Sequence, residues 1–585
     1  MRLTASRGLK LAGAFGLAVG IVVFAAAPAF AHATLENETP AGGEVVGTSP
    51  SQVTLTFDEN VEVSFGSIAL VNQKGDRVDI GAPHHAATSD HEIVASVPHL
   101  ADGAYVLTWR VISADSHPVH GAYIFTVGKS TFNASGLAAK LEAENSGNKT
   151  VGVIFAIARA AMYAGLALLI GAIVFAAAIR PRGRRRSRAD TLMWVGWITL
   201  FVATIATLLL QGPYAGGVGL SEVFHTAVVR AVLHTRYGHF IEIRLVLLLA
   251  VLPLLFVLRK SFNPEPWWWV LAVPLGVAIA ATPGLAGHAA TGTFTQLAVP
   301  LDTLHVVAMS IWLGGLAALT LTVIDRDPDA GRSADNFSPV ALSSVMIIVV
   351  SGVFAAWRQV GWSLDAVKDT TYGRLLFVKL AVFVVLLGLA AWSRRIVHAR
   401  RPASLSAAVA TESATTRASQ TRPTDHDVRG LRWSVGGELV FGIAILVITS
   451  MLVNSQPARS ALSLPYSKVF HESTMQVNLI VSPAKAGPVD IHVYTLSPAG
   501  GNLFTPSVTA TMSLPSKGIA PLTIPLVRAG PNHFLACQVP VSQATGTAVC
   551  SDKFNIPFAG KWQIVIRALR NEFDEVAVQT TVDIR

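Results

Sequence analysis

Eight apolar segments, each long enough to cross a lipid bilayer, interrupt this chain of 585 residues and leave few architectures open to it. They lie near 151–179, 191–212, 238–258, 266–287, 297–324, 337–357, 374–394 and 433–454. A spanning helix needs about 20 apolar residues, because lipid offers the backbone no water to bond with. A content of 51% hydrophobic and 14% charged residues is too apolar for an ordinary soluble chain of this length. The formal charge of +9 sits largely in runs such as "RPRGRRRSR" (180–188) and "SRRIVHARR" (393–401), which flank apolar segments. Such runs set orientation, so nucleic acid is not an expected partner. An even number of crossings returns the chain to its starting side. Basic residues after the first, third and seventh spans then put both ends on the outer side of the membrane.

The N-terminus reads as an export signal over 1–31: Arg2, Arg7 and Lys10 precede the apolar run Leu11 to Ala27, and Ala29-Phe30-Ala31 supplies the small-x-small cleavage pattern. Cleavage after Ala31 would make His32 the first residue. From 32 to 128, runs such as "QVTLTF", "GSIALVN", "EIVASV", "AYVLTWRVI" and "AYIFTV", separated by Gly, Pro, Asn and Asp, predict an exported β domain. A polar linker (129–150) leads to the membrane domain (151–455), in which 400–427 reads as a disordered cytoplasmic loop. Residues 456–585 return to strand patterns at sandwich spacing. The expected fold class is mixed: an exported β-sandwich of cupredoxin or immunoglobulin-like type, a polytopic helical domain of about eight spans, and a C-terminal extracytoplasmic β-sandwich.

Two cysteines, Cys537 and Cys550, exclude a Cys-rich zinc or iron–sulfur centre. They flank a predicted hairpin in an oxidising compartment and are expected to form a structural disulfide. In "SADSHPVHG" (113–121), Asp115 and His117 are two apart, which on an extended chain puts both on one face. The α-amine and imidazole of His32 can chelate one metal, and Asp115 with His117 completes an N,N,N,O set of the tetragonal kind that Cu(II) favours. The amine must lose its proton to bind, from a pKa of about 7.7–8.0, so affinity should fall in acid.

These motifs resemble a fusion of the CopC and CopD copper-resistance and copper-uptake proteins. The CopC-like part covers 32 to about 128 through "HATLENETPAGGE", "VTLTFDENVE" and "SADSHPVHG"; the CopD-like part includes "LDTLHVVAMSIWLGGLAAL" (301–319), "TTYGRLLFVKL" and "GLRWSVGGELV". The resemblance implies Cu(II) binding by His32, Asp115 and His117, with Glu59 of "FDE" as a weaker fourth ligand. It implies no separate soluble Cu(I) site, since 71–91 contains no methionine where some relatives carry a Met-rich loop. His84, His85 and His91 read as a solvated polar loop, and His120 as a surface or supporting residue.

In the fifth apolar segment Asp302, His305, Met309 and Trp312 share one helical stripe. A carboxylate and an imidazole there mark a transport path, with Asp302 expected to hold the His305 tautomer and Met309 to offer a soft ligand for Cu(I). His225, His239 and His288 fall on the outer side as an entry lining, with His234 beside them. "TRYGHFIEIRLVLLL" (235–249) echoes "TTYGRLLFVKLAVFV" (370–384), four spans apart, which predicts a parallel repeat in which Arg244 matches Lys379. Arg159, Glu242 and Glu438 are further candidates for internal ion pairs. No GxxxxGK[ST] loop is present, so this chain is not an ATP-driven pump. The reading is a non-enzymatic carrier that captures Cu(II) outside and passes copper into or across the membrane, with an external reductant implied. Two alternatives are delivery to a cuproprotein acceptor and a copper or haem redox protein.

Overall fold

The computed structural model describes residues 33, 35–42, 44–63, 68–87, 89–128, 130, 134–145, 147–181, 188–260, 264–292, 294–325, 327–361, 364–398, 425–458, 466–482, 484–498, 503–529, 532–542, 548–571 and 574–584. The expected signal peptide 1–31, His32 and most of the expected loop 400–427 lie outside the described residues. The chain divides into two compact units, one of helices (149–212 and 220–455) and one holding both β domains with 213–219.

The described residues of the N-terminal domain form ten strands: β1 (Leu35–Thr39), β2 (Val45–Val46), β3 (Gln52–Phe57), β4 (Val61–Glu62), β5 (Ile68–Asn72), β6 (Arg77–Val78), β7 (His84–Ala86), β8 (Ser89–Ser96), β9 (Gly103–Ser113) and β10 (Pro118–Val127). They form two sheets, β1-β3-β8-β7 and β2-β10-β9-β5-β6, with β4 beside β9. Alternation sends Val53, Leu55 and Phe57 of β3 inward, where they meet Leu70, Leu107, Trp109 and Phe125 of the other sheet in one core. All of β9 is buried, so its second face must also be covered. The cover is a helix inside the expected linker, α1 (Ser135–Asn145), whose Leu137, Ala138 and Leu141 pack on Ala104, Val106, Ala122 and Ile124. Its apolar stripe is short, so an 11-residue helix reads as polar linker until the sheet face it covers is known.

Among the described residues, eight helices are long and apolar enough to cross a membrane: Lys149–Ile179, Asp190–Gly216, Arg236–Lys260, Pro266–Leu285, Thr295–Ile324, Ala330–Val360, Thr371–Ala391 and Gly436–Val453. The helical elements of this unit are α2 (Lys149–Val174, prolonged by a π turn Phe175–Ile179), α3 (Arg188–Gly216), α4 (Thr226–Leu233), α5 (Arg236–Lys260), α6 (Pro266–Leu285), α7 (Thr295–Ile324), α8 (Ala330–Val360), α9 (Leu364–Asp369), α10 (Thr371–His398) and α11 (Asp425–Val453). The last begins inside the expected loop 400–427.

The expected repeat is built the same way twice. A short helix, α4 or α9, is followed within two residues by a threonine whose hydroxyl caps the next long helix. Thr235 Oγ1 accepts from Gly238 N at 3.1 Å and Thr370 Oγ1 from Gly373 N at 3.0 Å, while each hydroxyl donates back to Val232 O or Ala366 O. Both third positions must be glycine, since a Cβ would sit 2.1 Å from Val232 O or 2.2 Å from Ala366 O. The first helices of the two halves, α2 and α7, meet through small residues four apart, Ala167 and Gly171 against Ser310 and Gly314. A Cβ on Gly171 would lie 2.4 Å from Ser310 O, and one on Gly314 would lie 1.8 Å from Ala167 O, so the contact is reciprocal.

The C-terminal domain adds β11 (Tyr466–His471), β12 (Gln476–Ser482), β13 (Gly487–Leu496), β14 (Ser507–Leu514), β15 (Ile519–Ile524), β16 (Leu526–Arg528), β17 (His533–Ser542), β18 (Ala548–Ile556), β19 (Gly560–Asn571) and β20 (Asp574–Ile584). Sheets β11-β12-β13-β18-β17-β16 and β15-β14-β19-β20 enclose Val489, Ile491, Val493, Trp562 and Ile566. The opposite face of β13 carries Asp490, His492 and Tyr494, yet Tyr494 is only 1% exposed. Its ring stacks on His533, and the carboxylates that act on it, Glu38 and Glu44, come from the N-terminal β domain. Cys537 is buried and disulfide-bonded; the side chain of Cys550 lies outside the described residues.

Candidate metal centre

Strand β9 ends at Ser113, and the chain reverses through Ala114–His117 into β10. Ser113 N donates to His117 O at 2.9 Å and Ser116 N to Ser113 O at 2.8 Å. Ser116 has φ 73°, a left-handed conformation that costs a non-glycine residue about 1–2 kcal/mol. Asp115 and His117 therefore do not share the face of an extended strand, as their spacing predicts; a tight turn brings them together instead. His117 Nδ1 is 3.3 Å from Asp115 Oδ1, and that oxygen also accepts from His117 N at 3.2 Å and Ser113 Oγ at 2.7 Å.

Glu59 follows β3, and its Oε1 lies 2.8 Å from the same Ser113 Oγ and 3.3 Å from Ala114 N. One hydroxyl proton cannot serve two carboxylates at once. Asp115 and Glu59 thus share the Ser113 hydroxyl beside their separate backbone donors, with Asp115 1% and His117 3% exposed. Two carboxylates and an imidazole gathered with so little solvent favour a cation, and their oxygen and nitrogen donors suit a divalent metal of borderline character. With Nδ1–H directed at Asp115, Nε2 is the ring nitrogen that carries the lone pair. Ser113 is the residue that sequence reading passed over; its place at the head of the "SADSHPVHG" motif was the available signal.

The other histidines of this domain stand apart. His84 is exposed on β7, with Nδ1 3.1 Å from Ala82 O; His85 lies beside it on β7 and His91 on β8. His120 faces Arg110 across β9 and β10, where burial and then the guanidinium hold its pKa below the ordinary imidazole value. Arg110 itself donates to the carbonyls of Asn145, Tyr214 and Ala215, and the left-handed Gly217 leaves it room.

In the helical unit, α7 carries Asp302, His305, Met309 and Trp312. Asp302 does not hold the His305 ring. His305 Nδ1 is 2.9 Å from Ser351 Oγ of α8, and Ser351 gives its own proton to Ile347 O at 2.6 Å. The hydroxyl must then accept from Nδ1–H, which leaves Nε2 as the basic nitrogen. Asp302 instead occupies a notch at Gly284 of α6, where a Cβ would come within 2.2 Å of Oδ2. Trp312 packs edge-to-face on Phe383, with centroids 6.0 Å apart. His225 precedes α4 and is exposed, His234 follows it, and His239 is exposed on the first turn of α5. His288 opens the short turn His288–Ala290, and its carbonyl accepts from Arg358. Among the described residues, Asp302 and His305 belong to no group of three converging His, Cys, Asp or Glu ligands.

Comparison with known families matches three segments of the chain: a CopC domain over 35–128, a copper resistance protein D-like N-terminal domain over 149–296, and copper resistance protein D over 331–452. The copper resistance protein C of Escherichia coli is 31% identical over 115 residues, which is 18% of this chain and 90% of that protein. The chain is a CopC–CopD fusion. The copper transport protein CutJ of Bacillus subtilis aligns with it almost end to end, at 26% identity over 571 residues, 96% of this chain and 97% of that one. Copper resistance protein D of Pseudomonas syringae pv. tomato is 27% identical over 321 residues, 52% of this chain and 96% of the other. Among solved structures, CopC from Methylosinus trichosporium OB3b is 35% identical and covers 16% of this chain and 93% of its own, with a TM-score of 0.16. This CopC–CopD fusion is a copper-handling protein with helices fit to cross a membrane, and not an enzyme. Most of α7, with the whole Asp302 to Trp312 stripe, falls between the two membrane segments matched to the family.

Proposed function

We propose that this CopC–CopD fusion captures Cu(II) outside the cytoplasmic membrane and carries copper into or across it. The observation that carries the reading is the turn at 114–117, which gathers Asp115, His117 and Glu59 around Ser113. His32, freed by removal of 1–31, supplies the α-amine and a second imidazole. Asp115 and His117 complete the equatorial set, and Glu59 stands by as a weaker oxygen ligand. Ser113 and the left-handed Ser116 act as positioning residues, since they aim the carboxylate and the ring before any metal arrives.

Eight crossings and the basic runs support extracytoplasmic placement of both β domains. In that oxidising compartment Cys537 pairs with Cys550. Copper then moves to the α7 stripe, where His305 presents Nε2 and Met309 offers sulfur. That change of donors suits reduction to Cu(I) by a one-electron reductant outside the protein. Asp302 supplies negative charge near the path and offsets the cost of bringing a cation into a medium of low dielectric.

Copper titration of the mature protein tests the capture site. Asp115→Ala and His117→Ala should each weaken Cu(II) binding at least about tenfold, as should one residue added before His32, whereas His84→Ala should leave it unchanged. Undiminished affinity in the extended form would remove the N-terminal chelate from the account.

A further inference from the structure

The reciprocal contact of Gly171 with Gly314 fixes how the two halves of the helical unit correspond. Setting Gly171 on Gly314 sets Arg159 on Asp302 and Met162 on His305. Both helices run in the same direction, so Met162 and His305 sit at matched depth, nine residues or about 14 Å before the crossing glycine. The correspondence extends to the third long helix of each half. Arg244 of α5 and Lys379 of α10 stand at the same distance after the capped Thr-x-Tyr-Gly turn. Lys379 is the positive charge acting on both Asp302 and His305. Arg244 reaches the counterpart of His305 directly: one terminal guanidinium nitrogen is 2.7 Å from Met162 Sδ, and its Nε is 2.7 Å from Thr282 Oγ1.

A guanidinium buried to 2% exposure against a thioether is costly, because a weak sulfur acceptor stands where the cation gave up water. Met162 is 4% exposed and shares a buried cluster with Val306, the neighbour of His305, and Met309 packs against the same cluster. Two thioethers and one imidazole are thus carried by the helix pair α2 and α7, on which the halves of the unit meet. Soft sulfur and neutral imidazole are the donors that Cu(I) prefers.

We propose that Met162 is a Cu(I) ligand of the membrane path, the first-half counterpart of His305, and that Arg244 occupies its sulfur when copper is absent. The inference rests on the reading that copper enters the helical unit. Metal and guanidinium compete for access to the Met162 sulfur. Arg244 keeps its bond to Thr282 when it yields the sulfur, so the displaced cation remains anchored. A tethered cation at the ligand also repels other cations from the path between copper ions.

The test uses the full chain in lipid nanodiscs, with His117→Ala to silence the front site, loaded with Cu(I) under ascorbate. X-ray absorption counts sulfur neighbours and a competing chelator gives affinity. Met162→Leu should remove one sulfur neighbour and weaken Cu(I) binding at least about tenfold, and Met162→His should recover most of the affinity with a nitrogen in place of the sulfur. Arg244→Gln should bind Cu(I) more tightly than the parent, a gain that no misfolded variant produces. An unchanged sulfur count and affinity in Met162→Leu, with Cu(I) still bound, would overturn the role of Met162 and leave copper entry standing. Weaker binding in Arg244→Gln would overturn the competition. Absence of bound Cu(I) in the parent would overturn this inference together with the proposed path.

Discussion

At the scale of single residues, the positions that matter are set by who holds the proton. Ser113 has one hydroxyl proton for Asp115 and Glu59, and Ser351 spends its proton on Ile347 and so must accept from His305. The Asp-x-His pair was legible in the sequence because both residues belong to one local motif. Ser351 was not, because it reaches His305 from another helix, 46 residues away, and nothing in either stretch says which faces pack together. The notch at Gly284 makes Asp302 testable without touching it. Gly284→Ala puts a methyl group 2.2 Å from the present site of Oδ2, and the carboxylate, at the end of a flexible side chain, must swing away. The variant should fold and bind Cu(II) like the parent but take up copper more slowly. Uptake at the parental rate would make the position of Asp302 irrelevant to transport.

At the scale of elements, the eight apolar segments were plain because their length alone forces a helix, and their observed ends differ from the expected ones by a few residues. The largest differences are in α8, which begins at Ala330 instead of near 337, and α11, which begins at Asp425 instead of near 433, because their first turns are polar and carry no hydropathy signal. The linker helix α1 escaped for a related reason: its stripe has meaning only against the buried face of β9. The repeat was visible as Thr-x-Tyr-Gly, whereas the pairing of α2 with α7 depends on a backbone approach that small residues permit and do not announce. Gly314→Ala tests that pairing. Its methyl group would meet the backbone carbonyl of Ala167 at 1.8 Å, and two packed helices cannot both give way. A loss of about 1–3 kcal/mol is expected, read as a lower unfolding temperature in detergent, while Gly276→Ala, which meets nothing within 4 Å, should be neutral. Equal effects at the two glycines would contradict the close crossing.

At the scale of the whole molecule, two β domains share one compact unit, and acidic residues of the first act on the outer sheet face of the second. His533 lies in that face, where burial and then His492 push its pKa down to about 3. A histidine depressed in the folded state is held neutral there. The stability it contributes is complete above the unfolded value of about 6.5 and is lost progressively as pH falls from there toward 3. Unfolding of the full chain followed by intrinsic fluorescence should show this acid loss, and His533→Phe should flatten it; an identical pH profile in the variant would assign the loss elsewhere. The central claim is that the front site feeds the membrane helices, and uptake of radioactive copper by whole cells at limiting external concentration tests it most directly. Cells carrying the parent should accumulate copper faster than cells lacking the protein, and His117→Ala should fall to the level of cells without it while remaining equally abundant in the membrane. Accumulation by His117→Ala at the parental rate, or lower accumulation with the parent than without it, would contradict the account.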